Sequence, residues 1–135
     1  IGRLTEETLD VAVPTGATVV VGHVFTSEEY DEVLDKLEFD REVDEVSADD
    51  VAGRLATVRN ISGRLDEAGV DYEVRGAVGD HADSIVELAE TSDADRVIVG
   101  GRQRSPTGKA VFGSTAQTVM LEAPCPVTFV RSGTK

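Results

Sequence analysis

The run ATVVVGHVF, from Ala17 to Phe25, constrains the fold more than any other part of the chain. Its residues are apolar and β-branched almost without interruption, whereas a strand with one face in water alternates apolar and polar positions. An unbroken apolar strand is typical of a parallel sheet that helices cover on both faces. The sequence therefore predicts an α/β protein built around a buried parallel sheet.

Strand and helix patterns alternate along the rest of the chain. Alternating or β-branched stretches predict further strands at Val70–Gly76, Asp95–Gly100 and Pro126–Arg131. Apolar residues at helical spacing predict helices over Leu4–Val13, from Val51 to Leu65, from Ala82 to Ala89 and over Ser114–Glu122. Right-handed crossovers would wind these elements into a doubly wound, mostly parallel sheet. The length of 135 residues fits a single domain, residues 1–135.

The segment from Glu28 to Asp50 is strongly acidic, and its only bases are Lys36 and Arg41. Weak helical spacing predicts a partly irregular connection here. A carboxylate cluster can bind Mg²⁺ or Ca²⁺, but the spacing of a calcium-binding loop is absent, so a solvated surface is the favoured interpretation. Ser47 with Asp50 matches a capping box that opens the next helix.

Composition narrows the possible partners. A formal net charge of -13 disfavours nucleic acid and anionic membranes, because both are negatively charged. No apolar run reaches the roughly 20 residues of a membrane helix, and the single Cys125 cannot form an internal disulfide. We therefore expect a cytoplasmic protein. The acid-rich composition, in which Arg outnumbers Lys, also suggests a halophilic source as a hypothesis.

A basic, glycine-rich loop follows the strand that ends at Gly100. No acidic residue occurs from Arg96 to Leu121, although the chain as a whole is strongly acidic. Gly100 and Gly101 allow close approach of the backbone to a ligand, and Ser114 opens a helix whose first amides can donate to phosphate oxygens. The pattern predicts an anion site, with phosphate as the default ligand. A solvated basic loop is the alternative interpretation.

The common phosphate-binding motifs and catalytic sets do not fit this loop. Lys109 is followed by Ala110 instead of the hydroxyl residue of a P-loop, and the adjacent Gly100 and Gly101 lack the spacing of a dinucleotide fingerprint. His23 and His81 are interpreted as a packed and a surface residue, because no nucleophile or further metal ligand accompanies them. We predict no catalytic residue and no metal site.

The loop nevertheless matches a third pattern. Gly100, two residues, Gln103, nine residues and then Gly113 with Ser114 resembles the GxxG, nine residues, G(S/T) nucleotide loop of universal stress proteins. The resemblance extends to ATVVVGHVF, GVDYEVRGAVGDHADSIVELAE and CPVTFVR. It implies a five-stranded, Rossmann-like sheet of the adenine nucleotide alpha hydrolase type. The family's first strand has no counterpart before Leu4, and we expect it to lie upstream or to be supplied in some other way.

The resemblance also implies a ligand and a set of contacts. The ligand would be ATP or AMP, with Mg²⁺ as a candidate companion. Nucleotide contacts are expected at Val24, Gly100, Gly101, Arg102, Gln103, Arg104, Gly113, Ser114 and Thr115. Gln103 stands where the motif has its second glycine, which leaves open whether the loop closes on a triphosphate or on a smaller nucleotide.

A regulatory role follows from the same resemblance. It implies a homodimer that is joined through Pro126 to Arg131 and acts as a stress-response sensor or regulator, not as an enzyme. One alternative is a slow ATPase or a nucleotidyl or phosphoryl transferase on the same fold. Another is a dimeric interaction protein that binds no nucleotide.

Overall fold

The computed structural model describes residues 2–37, 47–101 and 114–131. Helices and strands follow one another in the order α1 (Gly2–Thr15), β1 (Val19–Phe25), α2 (Ser27–Lys36), α3 (Ala48–Gly53), α4 (Ala56–Glu67), β2 (Tyr72–Val78), α5 (His81–Thr91), β3 (Val97–Gly101), α6 (Ser114–Glu122) and β4 (Val127–Arg131). This alternation confirms the α/β architecture predicted from the sequence.

The described strands form two parallel pairs. In the first, β1 runs beside β2 with Val19 opposite Tyr72; in the second, β3 runs beside β4 with Val97 opposite Val127. Within the described ranges the pairs are separate two-stranded sheets, and no ladder joins β1 to β3. The described part of the chain therefore has four strands, and none of them precedes α1.

Helices cover both faces of the β1–β2 pair. Val21 of β1 packs in one core cluster with Ala12 of α1 and Val58 of α4. Gly22 faces the opposite way, and a Cβ built there would lie 3.3 Å from Cδ1 of Leu88 in α5. Because α5 also contacts α6, those two helices form the second layer. The layers match a doubly wound fold.

The helix layers also determine the order of the strands. The chain passes from β1 to β2 over the face that holds α4, and from β2 to β3 over the face that holds α5. Parallel crossovers are right-handed in about 98% of cases, so crossovers on opposite faces run in opposite directions along the sheet. Applied to the two pairs together, this rule gives the order β2, β1, β3, β4, whereas the ladders present within the described residues are β1–β2 and β3–β4.

A second core cluster anchors the end of β1. Phe25, of which 1% is exposed, packs with Leu34 of α2 and with Val51 and Ala52 of α3. Tyr30 of α2 adds an edge-on ring contact to Phe25, with 5.4 Å between centroids. Burial of these side chains holds both short helices against the carboxyl end of the strand.

Helix α3 closes the outer edge of β2 at Gly76. The amide of Gly76 donates to Oδ1 of Asp49 over 2.6 Å, so the carboxylate takes the place of a neighbouring strand. A Cβ at Gly76 would overlap the backbone carbonyl of Ala48. Only glycine permits this close approach of helix and strand.

The acidic segment is more regular than the sequence predicts. Residues 27–36 form α2, and Thr26 caps it: its hydroxyl accepts from the Glu29 amide while the Glu29 carboxylate accepts from the Thr26 amide. Where the sequence predicts only weak helical spacing, this stretch is therefore a regular, capped helix. Residues 38–46 lie outside the described ranges.

The helix predicted from Val51 to Leu65 is in fact two helices. The capping box of Ser47 and Asp50 is present as expected, but it opens the short helix α3, which ends at Gly53. Leu55 then adopts extended backbone angles and precedes α4. Glycine is a weak helix former, and the extended Leu55 still packs on both core clusters, so tertiary packing outweighs helical continuity. Cys125, which precedes β4, is half-buried.

The contact at Gly76 gives a stability prediction. Gly76→Ala should lower the free energy of unfolding by roughly 1 to 3 kcal/mol, because the new methyl group forces α3 away from β2. The matched control is Gly63→Ala in α4, where nothing lies within 4 Å of a built Cβ. That control should raise stability by about 0.5 to 1 kcal/mol through helix propensity. Urea unfolding measures both; equal effects would contradict the described contact.

Candidate functional site

The candidate site lies where the crossovers diverge, between β1 and β3. The helix after β1, α2, packs on the face of Phe25, whereas the helix after β3, α6, lies with α5 on the other face. Ligands of open α/β sheets bind in the crevice that this divergence leaves at the carboxyl ends of the strands. The fold alone thus makes the carboxyl ends of β1 and β3 the candidate ligand site.

The predicted nucleotide contacts that belong to β1 and β3 lie at the carboxyl ends of these strands. Val24 is the second-last residue of β1, and Gly100 with Gly101 ends β3. The Cβ direction of Gly100 faces Leu4 of α1, whose Cδ1 would lie 3.5 Å away. Gly100 can therefore carry a side chain only against α1, and its backbone is what a ligand would meet.

Helix α6 supplies backbone donors at the same edge. It begins at Ser114, the residue expected to open this helix. Ser114 is exposed and Thr115 is half-buried. The first amides of a helix have no partner within the helix, and they carry the positive end of its dipole.

Charge distinguishes α6 from the other helices that directly follow a described strand. Helix α2 carries Glu28 and Glu29 in its first turn, and α5 carries Asp83 behind an Asp80 cap that accepts from the Asp83 amide. The first turn of α6 has no acidic residue. An anion at this edge would therefore be repelled by nearby carboxylates at α2 and α5, but not at α6.

Several predicted site residues lie outside the described ranges. These are Arg102, Gln103, Arg104 and Gly113. Arg96, a base of the acid-free window, is described, but it precedes β3 and its Nη1 donates to Oγ1 of Thr128 over 3.2 Å. It therefore lies at the opposite end of the strand from the candidate site.

A cluster of polar side chains that the sequence did not predict lies beyond the end of β1. Nε2 of His81, at the start of α5, lies 3.0 Å from Oε1 of Glu29 in α2. The same oxygen of Glu29 accepts from the Thr26 amide over 2.8 Å. His81, interpreted as a plain surface residue, thus connects two helix starts. The Thr26–Ser27–Glu28–Glu29 capping pattern was the available sequence signal for Glu29.

These contacts alter the acidity of the cluster. The backbone hydrogen bond from Thr26, and then the hydrogen bond from His81, lower the pKa of Glu29. The pKa of His23 is lowered from 6.5, first by burial, while Glu29 opposes this change and His81 adds to it. His23 packs beside Phe25, with 4.6 Å between the ring centroids. A neutral His23 and an ionised Glu29 are therefore the forms that the fold favours near pH 7.

The described residues show neither a metal cluster nor a membrane helix. In residues 2–37, 47–101 and 114–131, no group of three or more His, Cys, Asp or Glu side chains is arranged to hold a metal ion. Over those same ranges, no helix combines the length and apolar character needed to cross a bilayer. What the edge offers a ligand is backbone amides and glycine.

Comparison with known proteins identifies relatives. The model of the Universal stress protein family matches residues 2–131. A universal stress protein of Mycolicibacterium smegmatis is 35% identical over 79 residues, a stretch that covers 58% of this chain and 61% of that protein. The chain thus matches less than two thirds of the length of this curated relative.

Solved structures share the fold. The universal stress protein from Archaeoglobus fulgidus superposes with a TM-score of 0.69 at 28% identity, covering 95% of this chain and 86% of that one. A universal stress protein family member from Arabidopsis thaliana, solved with AMP bound, gives a TM-score of 0.64 at 19% identity, covering 98% and 78%. The Rossmann-like α/β fold is therefore shown, and with a family match over nearly the whole sequence, the chain belongs to the universal stress protein family.

Proposed function

We propose that this protein binds an adenine nucleotide between the carboxyl ends of β1 and β3 and acts as a dimeric regulator in a stress response. The observation that carries the proposal is the start of α6. Its first turn carries no carboxylate, in a chain whose net charge is -13, and the first amides of a helix have no acceptor within the helix itself. A phosphate group is the ligand that such a helix start accommodates.

The remaining parts of a nucleotide have candidate positions around this phosphate site. Val24 at the end of β1 would contact the adenine, and Gly100 with Gly101 would let the phosphates approach the backbone. The AMP-bound Arabidopsis relative supports the choice of an adenine nucleotide through the shared fold. We propose AMP or ATP as the ligand, with Mg²⁺ as a companion of the triphosphate.

The polar groups at this edge favour a role as a sensor over a role as a rapid enzyme. Of the acid–base groups described there, Glu29 accepts from the Thr26 amide and is also paired with His81. A general base must reach the proton that it removes, and neither group is free to do so while this pairing lasts. A slow ATPase or transferase remains the second candidate, because Arg102, Arg104 and Lys109 supply positive charge in the loop sequence.

The proposed dimer uses β4, the outermost strand on its side of the sheet. In the described part of the chain, β4 is paired only with β3, so its outer edge can bind a second copy. Leu121 of the adjacent α6 is 85% exposed and Met120 is 39% exposed. These apolar side chains would extend the interface beyond the strand.

The nucleotide proposal predicts a ligand in the purified protein. Denaturing the protein should release AMP, ADP or ATP, identifiable by mass spectrometry, and calorimetry on the nucleotide-free protein should detect rebinding. Ser114→Asp should weaken binding by about tenfold or more, because it places a carboxylate where the phosphate would lie. It should not unfold the protein, since an acid in the first turn of a helix is stabilising.

The matched control is Thr57→Asp. Thr57 is exposed in the first turn of α4, which also lacks an acidic residue, so the substitution adds the same charge to another helix start. It should leave affinity unchanged. Equal losses of nucleotide affinity in both variants would mean that the added negative charge weakens binding wherever it is placed, which would contradict a site at α6. If the parent protein binds no adenine nucleotide, the proposal is refuted.

The regulatory role predicts little or no turnover. Incubation of the protein with MgATP should release phosphate at no more than a background rate, because no free general base is described at the edge. Phosphate release should be measured beside Lys109→Ala. Multiple turnovers by the parent protein that this variant abolishes would favour the enzyme instead.

The dimer proposal predicts a mass of twice 14.3 kDa in sedimentation. Leu121→Asp should shift the equilibrium toward monomer, because it places a charge in the apolar contact. Val13→Asp is the control, since Val13 is 54% exposed on α1, in the other helix layer. A strictly monomeric parent protein, or equal dissociation in both variants, would count against the proposed interface.

A further inference from the structure

His23 occupies a position that the proposed function does not use. It lies near the end of β1, half-buried, and its ring stacks at a tilt on Phe25 with 4.6 Å between centroids. Phe25 is the anchor of the cluster that holds α2 and α3 to the sheet. A charged imidazole at this position would have to keep its hydration beside the Phe25 ring, of which 1% is exposed.

The residue of β2 that lies opposite His23 is itself closely packed. His23 is paired in register with Gly76, against which α3 packs most closely. The ring of His23 thus contacts the anchor of the α2–α3 cluster, and its backbone is paired with the residue against which α3 packs. Close-packed contacts of this kind respond by switching arrangement, not by yielding gradually.

Charged groups face His23 from the three helices around it. Glu29 comes from α2, His81 from α5, and the Asp49 carboxylate of α3 is bonded to the amide of Gly76. Glu29 would favour a charged His23, but it already accepts from Thr26 and pairs with His81. A protonated His81 would oppose a second positive charge. Glu29, the carboxylate that raises the pKa of His23, is therefore already engaged by two other partners.

We propose that His23 is a proton-sensitive lock at the carboxyl edge of the β1–β2 pair: neutral, it holds the α2–α3 cluster on Phe25, and protonated, it releases that cluster. The chain is well suited to such a device, because it contains only 2 His residues and 1 Cys. Between pH 8 and pH 5.5 these histidines are the main side chains with ordinary pKa values in range. The lock is independent of nucleotide binding.

The direction of the pH effect follows from the lowered pKa of His23. Below pH 6.5 the unfolded chain binds a proton at this residue more readily than the folded chain does, so acid favours opening. The stability that neutral His23 contributes is complete above pH 6.5 and is lost as the pH falls toward the folded value. Glu29, whose pKa is also lowered, loses its contribution only in more acidic solution, below its ordinary value of 4.5.

The test uses the nucleotide-free protein and its local stability. Hydrogen exchange, corrected for the intrinsic pH dependence, should show α2 opening at least about threefold more often at pH 5.5 than at pH 8. Amides of α4, in the other core cluster, should change less. His23→Gln should abolish this difference, while the matched control His81→Gln should retain it. Loss of the difference in His81→Gln alone would overturn the proposal.

A direct titration keeps the proposal testable if His23→Gln fails to fold. In the parent protein, the His23 imidazole can be assigned by its NMR contacts with the Phe25 ring. Its titration midpoint should lie below 6.5, and the Phe25 ring signals should shift with the same midpoint. A midpoint at or above 6.5, or a Phe25 ring that does not respond, would overturn the lock.

Discussion

The handedness of the crossovers is the constraint on which the rest of the structure depends. The chain leaves β1 over the face of Phe25 and leaves β3 with α6 over the face of α5. Since parallel crossovers keep one hand, these connections must diverge between β1 and β3. In open α/β sheets such a divergence leaves a crevice at the carboxyl ends of the strands, and here β3 ends in Gly100 and Gly101.

Electrostatics then selects one helix start among several. In a chain with net charge -13, three of the six described helices, α2, α3 and α5, carry carboxylates in the first turn, which oppose the attraction of the helix dipole for an anion. Helix α6 is the exception among the helices that follow a described strand. Exposed helix ends contribute only about 0.3 to 1 kcal/mol each, so several amides and the glycine backbone must act together on a phosphate.

Elements that depend on local sequence patterns could be predicted, whereas contacts between residues distant in sequence could not. The strand at Val19–Phe25 and the helix at Ser114–Glu122 were predictable, because apolar pattern and local signals agree there. The break between α3 and α4 was not, since Leu55 is extended in order to pack on both clusters. The contact of α3 with Gly76 and the pairing of His81 with Glu29 join residues distant in sequence, so no local pattern could predict them. Val24 lies near the end of β1, Gly100 and Gly101 end β3, and Ser114 and Thr115 begin α6; nucleotide binding by these residues stays a prediction.

The central claim is that an adenine nucleotide binds where β1 and β3 diverge, and amide chemical-shift mapping tests it most directly. AMP should be titrated into isotope-labelled, nucleotide-free protein. The account predicts saturable shifts at Val24, Gly100, Gly101, Ser114 and Thr115, with little change at the amino ends of the same strands, such as Val19 and Val97. Shifts confined to other surfaces, or no saturable shift at millimolar AMP, would contradict it.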